Sequence, residues 1–368
     1  MLPFVRPLGR FALPALAIVV LALAILPHVN LPVMAKGTDA YLSPAHAQAA
    51  QTAAPGTVPV HQDGLPTPLV IGYYAGAGSG LGFQTLSKDA HLLNAIVPDW
   101  YTIWRDGSIT GQALPTVLDL ARRKNLWVFA MVQQNQYGGT VLGPLLQDPV
   151  ASRRAMENLL ALCEKEGYDG INLDFEGIPP QDRADYTSFV GQLATLLHRY
   201  GYYLTLSVPA ETANEPTNGW TGAYDYKALG KEADLVLVMA YDEHYSLSAA
   251  GPIASTAWVQ QVASYAARTM PPRRVVLGVP VYGYDWGNGP AQGLSWEAFK
   301  QIAQEHGLSP TSQDLVYWVN GVQHTAYYEG LQAFEAKIRV ATGYGIRGIA
   351  LWRLGLEDPK IWSYLGGA

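Results

Sequence analysis

Asp174 and Glu176 stand two residues apart near the end of the stretch Tyr168-Asp169-Gly170-Ile171-Asn172-Leu173-Asp174-Phe175-Glu176. In an extended strand, side chains alternate faces. The two carboxylates therefore point the same way, about 6 to 7 Å apart along the backbone. Gly170 and Asn172 share their face, while Ile171, Leu173 and Phe175 line the opposite, apolar one. Neighbouring like charges oppose double ionisation, so one acid of such a pair is pushed to keep its proton near neutral pH. A carboxylic acid that keeps its proton can give it to a glycosidic oxygen. Glu176 lies further along the strand and is expected to be that acid. Asp174, one step deeper, is expected to orient or stabilise a reacting group.

Acids on a strand face need elements around them that make the face a site. A helical pattern covers 151–166 before the strand and another covers 182–200 after it, with Gly201 placed to end the second. A strand between helices points to a parallel sheet, normally covered on both faces. Further strands are expected at 69–74, 96–104, 126–132, 203–208, 235–241, 274–282 and 346–352, with helices at 112–124 and 256–269 among them. Eight strands alternating with helices predict an α/β fold of the (β/α)8 TIM-barrel type. The stretch 287–345 between the seventh and eighth strands is too long for one connection. It carries a helical pattern at 296–306, a turn signal at Asn320-Gly321 and a helix after Gly330. These predict a small α+β insertion beside the barrel mouth. Active sites of this fold sit at the C-terminal strand ends. Such ends deliver Asp174 and Glu176, Tyr73, Met239, Tyr241 and Asp242, Tyr282, Tyr284 and Trp286, and Trp352.

The whole chain has 368 residues, 49% of them hydrophobic, which is ample for one barrel of about 300 residues after a leader. Net charge is -6 with only 15% charged residues, and no basic patch suits nucleic acid. The single cysteine, Cys163, falls in a predicted helix and reads as a small core hydrophobe. Arg6 and Arg10 precede an apolar run at 11–26, and Ala45-His46-Ala47 offers a cleavage site, so 1–42 is expected to be a signal peptide or signal anchor. The Ala/Pro-rich 43–67 is expected to be a linker, and 68–368 the folded unit. Secretion or an extracytoplasmic location follows, with the N-terminal segment as an optional membrane anchor. A monomer is expected.

Two opposed carboxylates must flank a glycosidic bond in the ordinary two-acid mechanisms, and a pair on one strand cannot easily do so. The spacing favours the substrate-assisted route, in which the sugar's own acetamido oxygen attacks the anomeric carbon. Asp174 would then hold the acetamido N–H, and Tyr241 would donate to its carbonyl oxygen.

D-G-I-N-L-D-F-E resembles the D-G-x-D-x-D-x-E signature of family 18 glycoside hydrolases. The resemblance extends to M-A-Y-D (239–242), to G-V-P-V-Y-G-Y-D-W (278–286) and to the strand ending in Trp352, in the expected order. Y-D-E-H and L-W-R-L-G-L-E-D look most like the bacterial branch of spore-cortex-lytic and deacetylase-fused enzymes. The resemblance implies a retaining hydrolase of β-1,4 bonds next to N-acetylglucosamine, acting on peptidoglycan, chitin or another such polysaccharide. It assigns Glu176 as the acid, Asp174 as the acetamido-orienting carboxylate, Tyr241 as the acetamido-binding tyrosine and Trp352 as the floor under the reacting sugar. Asn172, Met239, Asp242, Tyr282, Trp286 and Tyr73 are expected to bind substrate. The sequence departs from the signature at Asn172, where many chitinases carry an aspartate. An amide there can hydrogen-bond Asp174 but cannot take its proton.

Other readings are bounded by the same residues. The alternative is a non-catalytic, lectin-like carbohydrate-binding protein on the same barrel, which would not need the Glu176 acid. Glycines at 76–82 do not form a G-x-G-x-x-G fingerprint, there is no H-E-x-x-H ligand spacing and no G-x-S-x-G elbow. No metal and no cofactor are expected. Asp169 reads as a turn residue, and Glu243 and His244 as groups outside the site.

Overall fold

The structure is a computed structural model that describes residues 64–136 and 140–367. The expected leader, 1–42, and the expected linker up to residue 63 lie outside the described residues. In chain order the strands are β1 (Leu69–Tyr74), β2 (Ala95–Ile103), β3 (Ile109–Gly111), β4 (Trp127–Gln134), β5 (Gly170–Asp174), β6 (Tyr203–Pro209), β7 (Leu235–Met239), β8 (Val275–Pro280), β9 (Gly283–Trp286), β10 (Gln292–Leu294), β11 (Asp314–Val319), β12 (Val322–Tyr328) and β13 (Gly348–Trp352). The helices are α1 (Leu81–Asp89), α2 (Pro115–Arg123), α3 (Leu142–Gln147), α4 (Pro149–Glu166), α5 (Arg183–Arg199), α6 (Tyr226–Glu232), α7 (Thr256–Thr269), α8 (Trp296–Glu305), α9 (Leu331–Gly343) and α10 (Lys360–Leu365).

β1, β13, β8, β7, β6, β5, β4 and β2 lie side by side in parallel, and β2 pairs back with β1 to close the ring. This is the expected (β/α)8 barrel. The main core lies between the ring and the helices and takes the outward side chains, among them Ile171, Leu173 and Phe175 of β5. A smaller core fills the barrel, with Leu69, Ile71, Phe129, Met131, Leu235 and Leu237 stacked below the mouth.

Local chemistry explains how β5 is delivered. Asp148 caps α4 by accepting from the Val150 N–H, and Pro149 opens the helix where its missing N–H is not needed. Gly167 ends it in the left-handed region, with its N–H on the Cys163 carbonyl, and turns the chain into β5. Cys163 is fully buried in the core, as a small hydrophobe would be. Asp169, just before the strand, accepts from the Val128 N–H at 2.8 Å and so sits at the barrel end opposite the mouth.

A second sheet, in the antiparallel order β10-β9-β12-β11, stands beside the mouth. One of its faces packs on α8 through Leu315, Tyr317, Ala326, Tyr328 and Phe299. The expected insertion, 287–345, needs two corrections. The extra sheet begins at Gly283, because Val281-Tyr282 leave the barrel and β9 starts at once. Helix α9 belongs to the barrel, since Phe334, Val340 and Ala341 are part of the main core. A buried ion pair locks the return: Lys337 Nζ of α9 meets Glu329 at 2.7 Å, and Glu329 also accepts from the Ala254 N–H. The expected turn at Asn320-Gly321 joins β11 to β12, with both residues at positive φ. β3, a short antiparallel addition to β2, has no counterpart among the expected strands.

Candidate active site

Asp174 is the last residue of β5 and faces the barrel mouth; Glu176 lies just past it and is half-buried. Gln134, at the end of β4, fixes this step: its Oε1 accepts from the Glu176 N–H at 3.0 Å. Asp174 is 9% exposed, and its Oδ1 is buried without a hydrogen-bond partner in the protein. Burial first, then the Glu176 and Asp99 carboxylates, hold the Asp174 carboxyl well above the usual carboxylate range. A buried acceptor with no protein donor is costly unless a ligand or water completes it.

Asn172 does not turn toward Asp174. Its Nδ2 donates to Thr205 Oγ1 at 2.9 Å, its Oδ1 accepts from Ser207 at 3.0 Å, and the Tyr73 hydroxyl meets Ser207 at 2.9 Å. The reason is distance. Side chains at i and i+2 on one strand stand parallel about 6 to 7 Å apart, whereas cross-strand neighbours on β6 are nearer. Asn172 is fully buried below the mouth, and so is Tyr73 at 1% exposure. Both therefore support the floor from beneath.

The registers Asp99↔Met131↔Asn172 place Asp99 of β2 level with Asn172 inside the barrel. A bulge at Trp100 shifts the β2 register directly after it. Gln133, which is opposite Asp174 in the next strand, donates its Nε2 to Asp99 Oδ1 at 2.8 Å. Burial raises the Asp99 carboxyl, while the Gln133 hydrogen bond and the Arg353 charge pull it down. Arg353 is itself held by the Ala75 carbonyl at 2.8 Å. A carboxyl group, absent from position 172, is thus present in the same layer two strands away.

The aromatic side of the mouth is continuous. Trp352, ending β13, packs edge-on to Tyr73 at 5.0 Å and stacks on Tyr241 at 6.1 Å and 18°. Tyr241 meets Tyr282, Tyr282 meets Tyr284, and Tyr284 meets Trp286. Gly278 makes room for this row, because a Cβ there would lie 3.0 Å from the Tyr241 ring. Tyr241 keeps its proton and remains a donor, since burial and the surrounding Tyr73, Asp174, Glu176 and Asp242 all raise its pKa. Met239, at the end of β7, is half-buried beside them. Asp242 takes φ 60, an unusual conformation for a non-glycine residue, and accepts hydrogen bonds from Tyr282 and Tyr284. It opens onto the cleft, yet protein crowds its carboxyl: burial pushes its pKa up to about 6 against those two hydrogen bonds. Tyr282 and Trp286 are 6% and 8% exposed, so they act chiefly as backing for Tyr241, Asp242 and Tyr284.

The structure therefore brings Asp174, Glu176, Tyr241, Asp242, Met239 and Trp352 to one mouth, with Tyr73, Asn172, Tyr282 and Trp286 behind them. Sequence reasoning missed Asp99, Gln133, Gln134 and Ser207. The available signal was weak: a lone acid in the apolar run of β2, and two glutamines ending the apolar β4. Glu243 accepts from the backbone N–H and the hydroxyl of Ser255, the cap of α7, and His244 meets the Pro252 carbonyl. Among the described residues, no group of three or more His, Cys, Asp or Glu is arranged to hold a metal ion, and no helix is long and apolar enough to cross a membrane.

A closed parallel barrel with paired carboxylates beside a row of aromatic rings at its mouth is the arrangement of a barrel glycoside hydrolase. Residues 70–357 match the sequence profile of Glycosyl hydrolases family 18, and the chain belongs to that family of enzymes. It is 28% identical to the uncharacterized glycosylase YvbX of Bacillus subtilis (strain 168), over 80% of this chain and 90% of that protein. It is 29% identical to the cortical fragment-lytic enzyme of Bacillus anthracis over 65% of this chain, a match that spans 58% of that enzyme's length. The fold resembles the Bacillus cereus spore cortex-lytic enzyme SleL, with a TM-score of 0.75 and 24% identity over 83% of this chain and 75% of that one. It also resembles a chitinase from Chromobacterium violaceum ATCC 12472, with a TM-score of 0.72 and 26% identity over 81% and 98% of the two chains.

Proposed function

We propose that the protein is an exported, retaining hydrolase of β-1,4 bonds next to N-acetylglucosamine in a structural polysaccharide, working by substrate assistance. The observation that carries this reading is the unpartnered, buried Oδ1 of Asp174 at the same mouth as Tyr241, which stacks on Trp352. An acetamido N–H is a donor of the right chemistry for that oxygen, and the Tyr241 hydroxyl can hold the acetamido carbonyl. Before substrate arrives, one proton is shared by the Asp174–Glu176 pair and burial favours Asp174 as its site. An N–H donated to Asp174 stabilises its ionised form. The proton then rests on Glu176, which gives it to the leaving oxygen as the acetamido oxygen attacks the anomeric carbon. Water later opens the resulting oxazolinium-type intermediate with Glu176 as base, returning the original configuration. Export is supported by Arg6, Arg10 and the apolar 11–26 segment of the sequence.

The test is a side-by-side digestion of purified peptidoglycan, N-acetylglucosamine oligomers and partly deacetylated polymer, with products read by mass spectrometry. Cleavage should require an N-acetyl group on the reacting sugar, and a thiazoline analogue of N-acetylglucosamine should inhibit. Efficient cleavage of glucosaminyl or glucosyl bonds at that position would exclude substrate assistance.

A further inference from the structure

The outer strand of the small sheet carries an unusual surface. In β11 the side chains alternate: Leu315 and Tyr317 enter the core against α8, while Val316 and Trp318 face solvent at 49% and 62% exposure. A tryptophan this exposed is uncommon, since its ring surface is normally buried. The pairing shows what this face adjoins. Asp314 is opposite Tyr327, which is opposite Tyr284; Val316 is opposite Thr325, which is opposite Trp286; Trp318 is opposite Gln323. Cross-strand partners share a face, so Trp318 and Val316 lie on the same side as Tyr284, Trp286 and Tyr327. Those three belong to the aromatic cluster that includes Tyr241, Tyr282 and Trp352. From strand spacing and rise, Trp318 stands roughly 12 Å beyond Trp286. The row at the mouth thus continues onto the open sheet.

We propose that this face, centred on Trp318, is an outlying sugar-stacking platform that holds the same polysaccharide chain away from the bond being cleaved. The inference rests on the reading of the protein as a hydrolase of N-acetylglucosamine polymers and adds to it where the uncut strand lies. Three features favour a pyranose ring as occupant. The indole offers a flat apolar face of the kind that stacks on C–H-rich sugar faces. Its neighbours Gln323 and Thr325 are uncharged and can bond hydroxyl groups. The tight turn at Asn320-Gly321 follows Trp318 almost directly and joins it to β12, which fixes its position relative to the mouth. A platform at this distance can touch only a chain several sugars long.

The experiment compares the full chain with Trp318→Ala and Trp318→Phe on a short soluble N-acetylglucosamine oligomer and on insoluble chitin and purified peptidoglycan. Trp318→Ala should leave kcat/KM on the oligomer within about twofold. It should weaken depletion onto, and turnover of, an insoluble polymer by roughly three- to tenfold, with Trp318→Phe in between. Unchanged depletion by Trp318→Ala on both polymers overturns the platform. So does conversion of a dimer to a monomer in sedimentation velocity, because the face would then join two copies of this chain. If the wild type cleaves none of the substrates, the functional reading fails, while the depletion measurement still decides the platform.

Discussion

The floor and the wall of the cleft are built from opposite kinds of sheet. The floor is the closed parallel ring, in which both faces are buried and no edge remains. Its polar groups are placed by neighbours, Asn172 by Thr205 and Ser207, the Glu176 backbone by Gln134 and Asp99 by Gln133, while Asp174 Oδ1 is left without a protein donor. The wall is an open antiparallel sheet that packs on α8 with one face and gives the other to the cleft and to solvent. Ring contacts of 5.6 to 6.5 Å run along it. Proton transfer needs groups fixed within fractions of an ångström, whereas stacking tolerates sliding. On the proposed reading, the floor carries the chemistry and the wall the grip.

Glu176→Gln should produce the largest effect. The amide keeps the shape but has no acid proton, so kcat should fall by roughly 10²–10⁴-fold while oligomer binding survives. Isothermal titration and rate measurements on one preparation check this. An equal loss from Trp318→Ala on short oligomers would erase the distinction between floor and wall.

Asn172→Asp should follow. It puts a carboxylate into a fully buried site and removes the donor to Thr205, for a loss of about 1–3 kcal/mol by denaturant unfolding. The added charge also makes the Asp174–Glu176 pair harder to ionise. Activity needs one proton on that pair, and the acid limb of kcat/KM marks arrival of the second. That limb should move to higher pH.

Asp99→Asn should move the same limb the other way. Asp99 is one of the charges that raise Asp174, so its loss lets the pair ionise more easily. A shift toward acid is expected, smaller than the one Asn172→Asp produces, because Asp99 lies two strands away. Superimposable profiles for both variants would mean that this layer only packs the barrel.

The smallest effect on turnover is expected at Glu211, which lies just past β6 among Arg183, Asp225 and Tyr265. It is 4% exposed, its Oε2 has no hydrogen-bond partner, and burial raises its pKa from 4.5 to about 8. Between those values the folded protein keeps a proton that the unfolded chain has released. Its contribution to stability is therefore full below about pH 4.5 and is lost as pH rises through about 8. Glu211→Gln should leave kcat unchanged and raise Tm at pH 9, by about 2–4 °C for each kcal/mol recovered. A Tm gap between wild type and variant that does not widen with pH would rule out this titration.

The comparison also explains what was legible in the sequence. Strand β1 and helix α7 fall where the pattern puts them, because a short apolar run and a helical pattern are written locally. The paired acids were legible for the same reason, since i and i+2 on a strand share a face wherever the strand goes. The N-terminal 63 residues were read from a charged start, an apolar run, a cleavage pattern and composition, and lie outside the described structure. The start of the small sheet was not read from the sequence, because β9 follows β8 after two apolar residues, with only Pro280 and Gly283 to mark the break.

By itself, then, the sequence determined the order of strands and helices, the face that carries Asp174 and Glu176, and the aromatic strand ends at 241, 282 and 352. Ring closure alone decided who meets whom. It set Asp99 level with Asn172, turned Asn172 toward β6 instead of Asp174, and laid Gln134 against the Glu176 backbone. Those partners lie from 33 residues apart, for Asn172 and Thr205, to 42, for Gln134 and Glu176, and further still for Asp99 and Asn172. Their contact depends on strand register and barrel curvature, which no local spacing encodes.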